Sequence, residues 1–276
     1  MSHGAPHAAQ LALAPAALSD AQIRTLFGTP VWIRESQVEQ EFLASARCGG
    51  LDFHGRALAT YAWGEGAQTV LLLHGWGGRA VQLRAFVPPL VERGYRVLAF
   101  DAPGHGRSAG ERPSMFQTAE TIQVLGQREG GFAALIAHSM GAASATMAIG
   151  RGLPVRRTAL IAPMCRLTDA LSRFAVRLKL SSEQRARLCA RLEEEFGADM
   201  WDQSSLTWVG PRLALPALIV HDRDDAEIPY QDGADTAGAW PGTELVTTAR
   251  LGHRAILRDP EVIARVVGFV TAQRVS

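Results

Sequence analysis

Four short stretches of this chain combine residue types whose order and spacing suit acyl-transfer chemistry. The first is Leu135-Ile136-Ala137-His138-Ser139-Met140-Gly141-Ala142-Ala143, a serine set between an apolar, strand-like run and a stretch of small residues that can form a helix. A strand, sharp turn and helix would lift the Ser139 hydroxyl above the strand ends, where the helix N-terminus favours developing negative charge. Small residues two positions before and after the serine, Ala137 and Gly141, let such a turn close. A serine there can also do no more than cap the helix. Its meaning depends on its company.

The second stretch, Leu71-Leu72-Leu73-His74-Gly75-Trp76-Gly77-Gly78, is a strand-like run followed by a glycine-rich loop. Such a loop can turn backbone amides into a pocket, and a tetrahedral oxyanion needs two donors. The candidates are the N–H groups of Trp76 and of Met140, the residue after the serine. One preorganised donor of this kind is worth roughly 3 to 4 kcal/mol of barrier height. His74, at the entrance to the loop, reads as a loop-fixing residue. Trp76 can also offer its ring to an acyl pocket or pack beneath a cap.

The third stretch runs from Ala217-Leu218-Ile219-Val220 into His221-Asp222-Arg223-Asp224-Asp225-Ala226-Glu227-Ile228-Pro229 and gathers four carboxylates at a strand end. One of them is placed to orient a histidine. The others serve as turn formers or as partners for Arg223. The fourth, Leu251-Gly252-His253-Arg254, puts an imidazole in a loop, where a group with an unperturbed pKa near 6.5 can take a proton from a serine at neutral pH. The chain order serine, acid, histidine is the order Ser139, Asp225, His253. Eight histidines occur in all. His3 and His7 fall in an N-terminal tail, His54, His105, His138 and His221 read as packing or loop residues, and no pair has metal-ligand spacing.

These groups need elements to hold them. Strand-sized apolar runs recur at Val70–Leu73, Arg96–Phe100, Ala133–Ala137, Thr158–Ile161, Ala217–Val220 and Glu244–Thr248. Continuous rather than alternating runs are expected of parallel strands covered on both faces, with helices as crossovers. Helices are expected at Ala80–Arg93, Ser114–Leu125, Gly141–Ile149 and Pro260–Gln273, and a hairpin from Leu43–Cys48 and Arg56–Trp63 across the turn-rich segment with Gly49, Gly50 and Gly55. Between Pro163 and Pro216 the strand rhythm stops. Leu, Phe and Val recur there at helical spacing among many arginines, notably at Leu171–Leu180 and Glu183–Phe196. This segment reads as a compact helical cap whose arginines form a solvated face and whose Phe174, Leu178, Leu180 and Trp201 could line an apolar pocket.

Bulk properties narrow the partners. The 276 residues are 47% hydrophobic and 20% charged, enough for one large domain with an insertion. With 28 basic and 27 acidic residues the net charge is +1, so no global field favours nucleic acid or an anionic membrane. Cys48, Cys165 and Cys189 match neither a zinc site nor a disulfide framework, which points to the cytoplasm. No apolar run reaches membrane-spanning length. The expected organisation is a mobile tail over 1–18, a core over 19–163 and 217–276, and a helical cap over 164–216.

Over about residues 50–273 the chain resembles the α/β-hydrolase superfamily. The motifs that carry the likeness are His74 to Gly78, Asp101-Ala102-Pro103-Gly104-His105-Gly106-Arg107-Ser108, Ala137 to Gly141, His221 to Pro229, and Gly252-His253. Two positions depart from the family pattern. Ala137 stands for the first glycine of Gly-x-Ser-x-Gly, and Asp222 for the glycine of His-Gly-x-x-Asp-x-x-x-Pro. The resemblance implies an eight-stranded, mostly parallel sheet, a lid after the sixth strand, no cofactor, and Asp101–Ser108 as a structural loop. It aligns Asp225 with the acid, leaving Asp224 and Asp222 as alternatives. A serine nucleophile sets the chain apart from the dehalogenase and epoxide-hydrolase branches, which use aspartate. The expected activity is hydrolysis of small-molecule carboxylic esters, with thioesters next. The same motifs also fit a receptor-like protein of this fold with little turnover.

Overall fold

The computed structural model describes residues 18–31, 34–110 and 113–272. Residues 1–17 of the expected tail at 1–18 and the last residue of the expected Pro260–Gln273 helix lie outside the described residues. Leu18, at the end of that tail, is buried in the core.

Eight strands form one sheet: β1 (Arg47–Phe53), β2 (Arg56–Trp63), β3 (Thr69–Leu73), β4 (Arg96–Phe100), β5 (Phe132–His138), β6 (Val155–Ile161), β7 (Ala217–Asp222) and β8 (Glu244–Thr248). Their spatial order is β1-β2-β4-β3-β5-β6-β7-β8. β2 runs antiparallel to both neighbours, and the other pairs are parallel. The continuous apolar runs follow from burial on both sides. Leu71, Leu73, Leu135 and Ile219 face one layer of helices, whereas Val70, Leu72, Ile136 and Val220 face the other. Each such side chain contributes roughly 1.5 to 3 kcal/mol. β8 lies at the edge and is only partly covered.

The entry to the sheet differs from the sequence expectation. Leu43 is not in a strand but near the end of a helix, Gln37–Ala44, begun by a capping box between Ser36 and Glu39. The first hairpin strand therefore starts at Arg47, and the chain reverses at His54-Gly55, both with positive φ (53° and 74°), rather than at Gly49 and Gly50. The expected Ala80–Arg93 helix is two pieces, a 3₁₀ segment at Ala80–Phe86 and an α-helix at Val87–Glu92. Pro88 and Pro89 sit at its first helical turn, where a missing N–H costs least.

Between β6 and β7 the chain makes helices Leu167–Arg177, Ser182–Phe196, Met200–Gln203 and Leu206–Val209 over the carboxyl ends of the strands. A helix at Asp20–Phe27, capped by Ser19 and Gln22, packs on Ser182–Phe196. Arg187 reaches Asp20 (2.9 Å) and Arg24 reaches Glu195 (2.6 Å) across that contact.

Candidate active site

β5 delivers Ser139 at the centre of the sheet, and the helix Met140–Gly150 leaves from it. Ser139 has φ 56° and ψ −124°, a left-handed conformation that a non-glycine residue holds at a cost of about 1 to 3 kcal/mol. Close packing enforces it. A Cβ on Gly75 would stand 2.7 Å from Ser139 Cβ, and one on Gly141 would stand 2.3 Å from the His74 carbonyl oxygen. The glycine loop after β3 and the first turn of the helix thus press against the serine from two sides. Ala137, in place of the family's glycine, is fully buried in β5, and the turn forms with its methyl group in place.

The Ser139 hydroxyl donates to His253 Nε2 at 3.0 Å. His253 Nδ1–H in turn donates to Asp225 Oδ2 at 2.7 Å. All three residues are at most 9% exposed. The structure therefore joins Ser139, His253 and Asp225 in one hydrogen-bonded chain, although they lie far apart in sequence. Burial works against charge on Asp225, but hydrogen bonds from His221 and His253, with backbone N–H groups of Glu227 and Ile228 on Oδ1 (2.8 and 2.9 Å), hold its carboxyl well below the usual range. It remains a carboxylate.

The two rival aspartates are occupied elsewhere. Asp222 accepts from Asp224 N–H (2.9 Å) on Oδ1, and from Thr248 Oγ1 (2.7 Å) and Leu251 N–H (3.1 Å) on Oδ2. Asp224 accepts from Arg250 N–H at 2.7 Å. Both clamp the loop that carries His253 instead of touching the imidazole. At Asp222, the departure from the family glycine supplies an anchor for that loop.

Two more histidines set the backbone. His74 Nε2 accepts from Ala102 N–H (3.0 Å), which leaves Nδ1–H to donate to the Gly75 carbonyl at 2.7 Å, and burial pushes its pKa down to about 4. His138 Nε2–H donates to the His253 carbonyl at 2.9 Å; burial, then repulsion from His253, lowers its pKa to about 3. Both hold loops as neutral rings. Asp101 anchors the neighbouring loop by accepting from Ala80 N–H, Arg107 N–H and Tyr61 Oη at 2.8, 2.8 and 3.0 Å.

Ser139 opens into a cavity of about 940 Å³ whose wall includes Trp76, Met140, His138 and His253. The N–H groups of Trp76 and Met140 make no hydrogen bond to other described residues. The Trp76 ring lines the cavity and meets the edge of His105 at 5.2 Å. Of the four cap residues singled out as pocket candidates, Phe174 lines this cavity and Leu178, Leu180 and Trp201 do not. The sequence reading also missed Leu26, Phe27 and Thr29 in its wall. The capping box Ser19-Asp20-Ala21-Gln22 was the available signal for the helix that carries Leu26 and Phe27 and ends just before Thr29. Among the described residues no group of three or more His, Cys, Asp or Glu side chains is placed to hold a metal.

A match to the family described as "Alpha/beta hydrolase family" spans residues 70–266, which include every motif above. The chain belongs to the α/β-hydrolase family. Among curated relatives of this α/β hydrolase is the 2-hydroxy-6-oxononadienedioate/2-hydroxy-6-oxononatrienedioate hydrolase of Klebsiella pneumoniae subsp. pneumoniae, 28% identical over 77% of this chain and 90% of that protein. The pimeloyl-(acyl-carrier protein) methyl ester esterase of Edwardsiella ictaluri is 42% identical over a shorter span, 26% of this chain and 27% of its own length. Among solved structures, an esterase from Rhodococcus sp. ECU1013 shares the fold with a TM-score of 0.62 at 18% identity, over 83% of this chain and 99% of that one. No helix among the described residues is long and apolar enough to cross a membrane.

Proposed function

We propose that this α/β hydrolase is a serine hydrolase that cleaves small-molecule carboxylic esters, with thioesters as the next class, through an acyl-enzyme. The observation that carries the reading is the continuous chain from the Ser139 hydroxyl through His253 to an ionised, buried Asp225. Relatives named as a hydrolase and a methyl ester esterase agree with it.

In this mechanism Ser139 Oγ attacks the ester carbonyl while its proton passes to His253 Nε2. The Met140 and Trp76 amides hold the oxyanion. Collapse breaks the carbonyl–alkoxide bond, and the imidazolium gives its proton to the departing oxygen. A water then gives a proton to His253 and attacks the acyl-serine; the second collapse returns a proton to Ser139 Oγ and frees the acid. Asp225 keeps the imidazole in the required tautomer and stabilises its cationic form. The reading extends to a cytoplasmic enzyme with no nucleic-acid or membrane partner and no cofactor, in keeping with three unpaired cysteines and a net charge of +1.

The test is hydrolysis of p-nitrophenyl acetate and butyrate by the wild type and Ser139→Ala, His253→Ala and Asp225→Asn, each checked for folding. Wild-type turnover with losses of roughly 10⁴- to 10⁶-fold in the serine variant is expected. A folded wild type that hydrolyses neither ester and takes no label from a fluorophosphonate sinks the reading in favour of a receptor-like protein.

A further inference from the structure

The cavity wall is far more basic than the protein. Eight of its lining residues are arginines and two are glutamates, in a chain whose net charge is +1. Carboxylates lie 2.6–3.9 Å from the guanidinium groups of five of these arginines, Arg24, Arg79, Arg84, Arg173 and Arg254, with Glu39 shared between two of them. Arg34, Arg177 and Arg258 make no ion pair among the described residues.

Arg173 is the informative member. Its side chain is 32% exposed, its Nη1 stops 3.7 Å from Asp232 Oδ1, beyond hydrogen-bond reach, and its Nη2 is buried with no hydrogen-bond partner among the described residues. Asp232 is a poor counter-ion. Its other oxygen accepts from the Cys165 N–H at 3.0 Å, and burial pushes its carboxyl pKa up. A guanidinium N–H buried without an acceptor is costly. Arg177 lies one helical turn further along Leu167–Arg177, on the same face, and also lines the cavity. Met164, Leu167, Phe174 and Met200 line the same cavity as this pair and Ser139 and give its wall an apolar part.

We infer that the acyl chain of the substrate ends in a carboxylate, which docks on Arg173 and Arg177 while its methylene segment crosses the apolar wall and its ester carbonyl reaches Ser139. The substrates are half-esters or half-thioesters of dicarboxylic acids. A planar fork of guanidinium donors fits a carboxylate. The inference rests on the serine-hydrolase reading and names its substrate class.

The experiment compares kcat/KM for p-nitrophenyl hydrogen adipate and p-nitrophenyl hexanoate, which differ in the terminal carboxylate. The wild type is expected to prefer the adipate at least about tenfold at low ionic strength, with the preference shrinking as salt screens it. Arg173→Gln and Arg177→Gln should each bring the ratio toward one. Hydrolysis of the hexanoate with a wild-type ratio of one or below, or a ratio that neither substitution moves, overturns the anion site and leaves the esterase reading standing. Calorimetric titration of adipate into Ser139→Ala reads the site without turnover. Binding weakened about tenfold by adding Arg173→Gln supports it even if no ester is hydrolysed, and no binding overturns it.

Discussion

The cavity has two walls of different character. The sheet wall carries Ser139 at the end of β5 and Asp225 and His253 on the segments that follow β7 and β8, and each of these groups has named hydrogen-bond partners in the protein. Glycines stand where any side chain would collide with the serine or with the loop beside it. The helical wall carries Arg24, which pairs with Glu195, Arg173, which stands 3.7 Å from Asp232, and the exposed Arg177, which makes no ion pair among the described residues. Chemistry demands a geometry fixed to a fraction of an ångström, whereas recognition of a charged chain end needs charge of the right sign within reach. The walls should therefore respond to substitution very differently.

The largest expected difference lies within the acidic cluster of the sheet wall. Asp225→Asn should lower kcat about 10⁴-fold, because an amide no longer holds the imidazole tautomer and no longer balances its charge. Asp224→Asn, which removes a carboxylate that accepts only from the Arg250 N–H among the described residues, should lower it less than about tenfold. Steady-state hydrolysis of p-nitrophenyl butyrate reads both. Equal losses would mean that the two neighbouring aspartates share one task, and the assignment from geometry would be wrong.

Next comes the packing behind the serine. Gly141→Ala places a methyl group 2.3 Å from a carbonyl oxygen that cannot yield without moving the loop, so a loss of about 1 to 3 kcal/mol in stability and about 10²-fold in turnover is expected. Gly238→Ala is the counterpart in an ordinary helix. Nothing lies within 4 Å of its new Cβ, and alanine there should stabilise by up to about 1 kcal/mol with activity unchanged. Thermal melts and butyrate hydrolysis of the two variants test whether tight packing is confined to the site.

This contrast also explains what could be read from the chain beforehand. Strands Arg96–Phe100 and Glu244–Thr248 were legible to the residue, and the residues of the sheet wall lie in short local motifs. The helix Gln37–Ala44 was lost because the apolar Leu43, Ala44 and Ala46 lead with no glycine or proline between them into the strand that begins at Arg47, and the deciding signal, Ser36 with Glu39, lies before them. The loop-anchoring role of Asp222 depends on contacts with Thr248 and Leu251, which only the fold brings close. The cap arginines were read as a solvated face. That holds for Arg185 and Arg187, which meet Ser172 and Asp20 at the surface, and for the exposed Arg177, which also lines the cavity, whereas Arg173 is partly buried there with Nη2 covered. Nothing in charge pattern alone says which face of a helix a cavity will take.

The buried imidazoles of the sheet wall predict a pH response. His74 is held to about 4, and His105 and His138 to about 3, chiefly by burial. An unfolded histidine binds a proton near pH 6.5, so between there and the folded values the unfolded chain takes up protons that the folded chain refuses. Stability is then fully present above pH 6.5 and declines as pH falls toward 4, by about 1.4 kcal/mol per pH unit for each histidine. His138→Gln keeps a donor for the His253 carbonyl and removes one titrating ring, so its melting temperature should fall less steeply between pH 6 and 4.5. An unchanged slope would show that His138 already binds its proton in the folded state.

The smallest expected effect belongs to the helical wall and is the most direct way to break the comparison. Arg24 pairs with Glu195 at 2.6 Å, their side chains being 18% and 36% exposed, and so ties the helix Asp20–Phe27 to Ser182–Phe196. Partly exposed pairs are screened by water and salt, and Arg24→Gln should cost under about 1 kcal/mol, read by urea unfolding. Leu18, Ile23 and Leu26, buried in the main core cluster, should keep the helix seated without the ion pair. A loss above about 2 kcal/mol would mean that this wall is held as rigidly as the sheet wall. The division between a fixed chemical wall and an adaptable recognition wall would then fail, and the arginines would have to be regarded as structural.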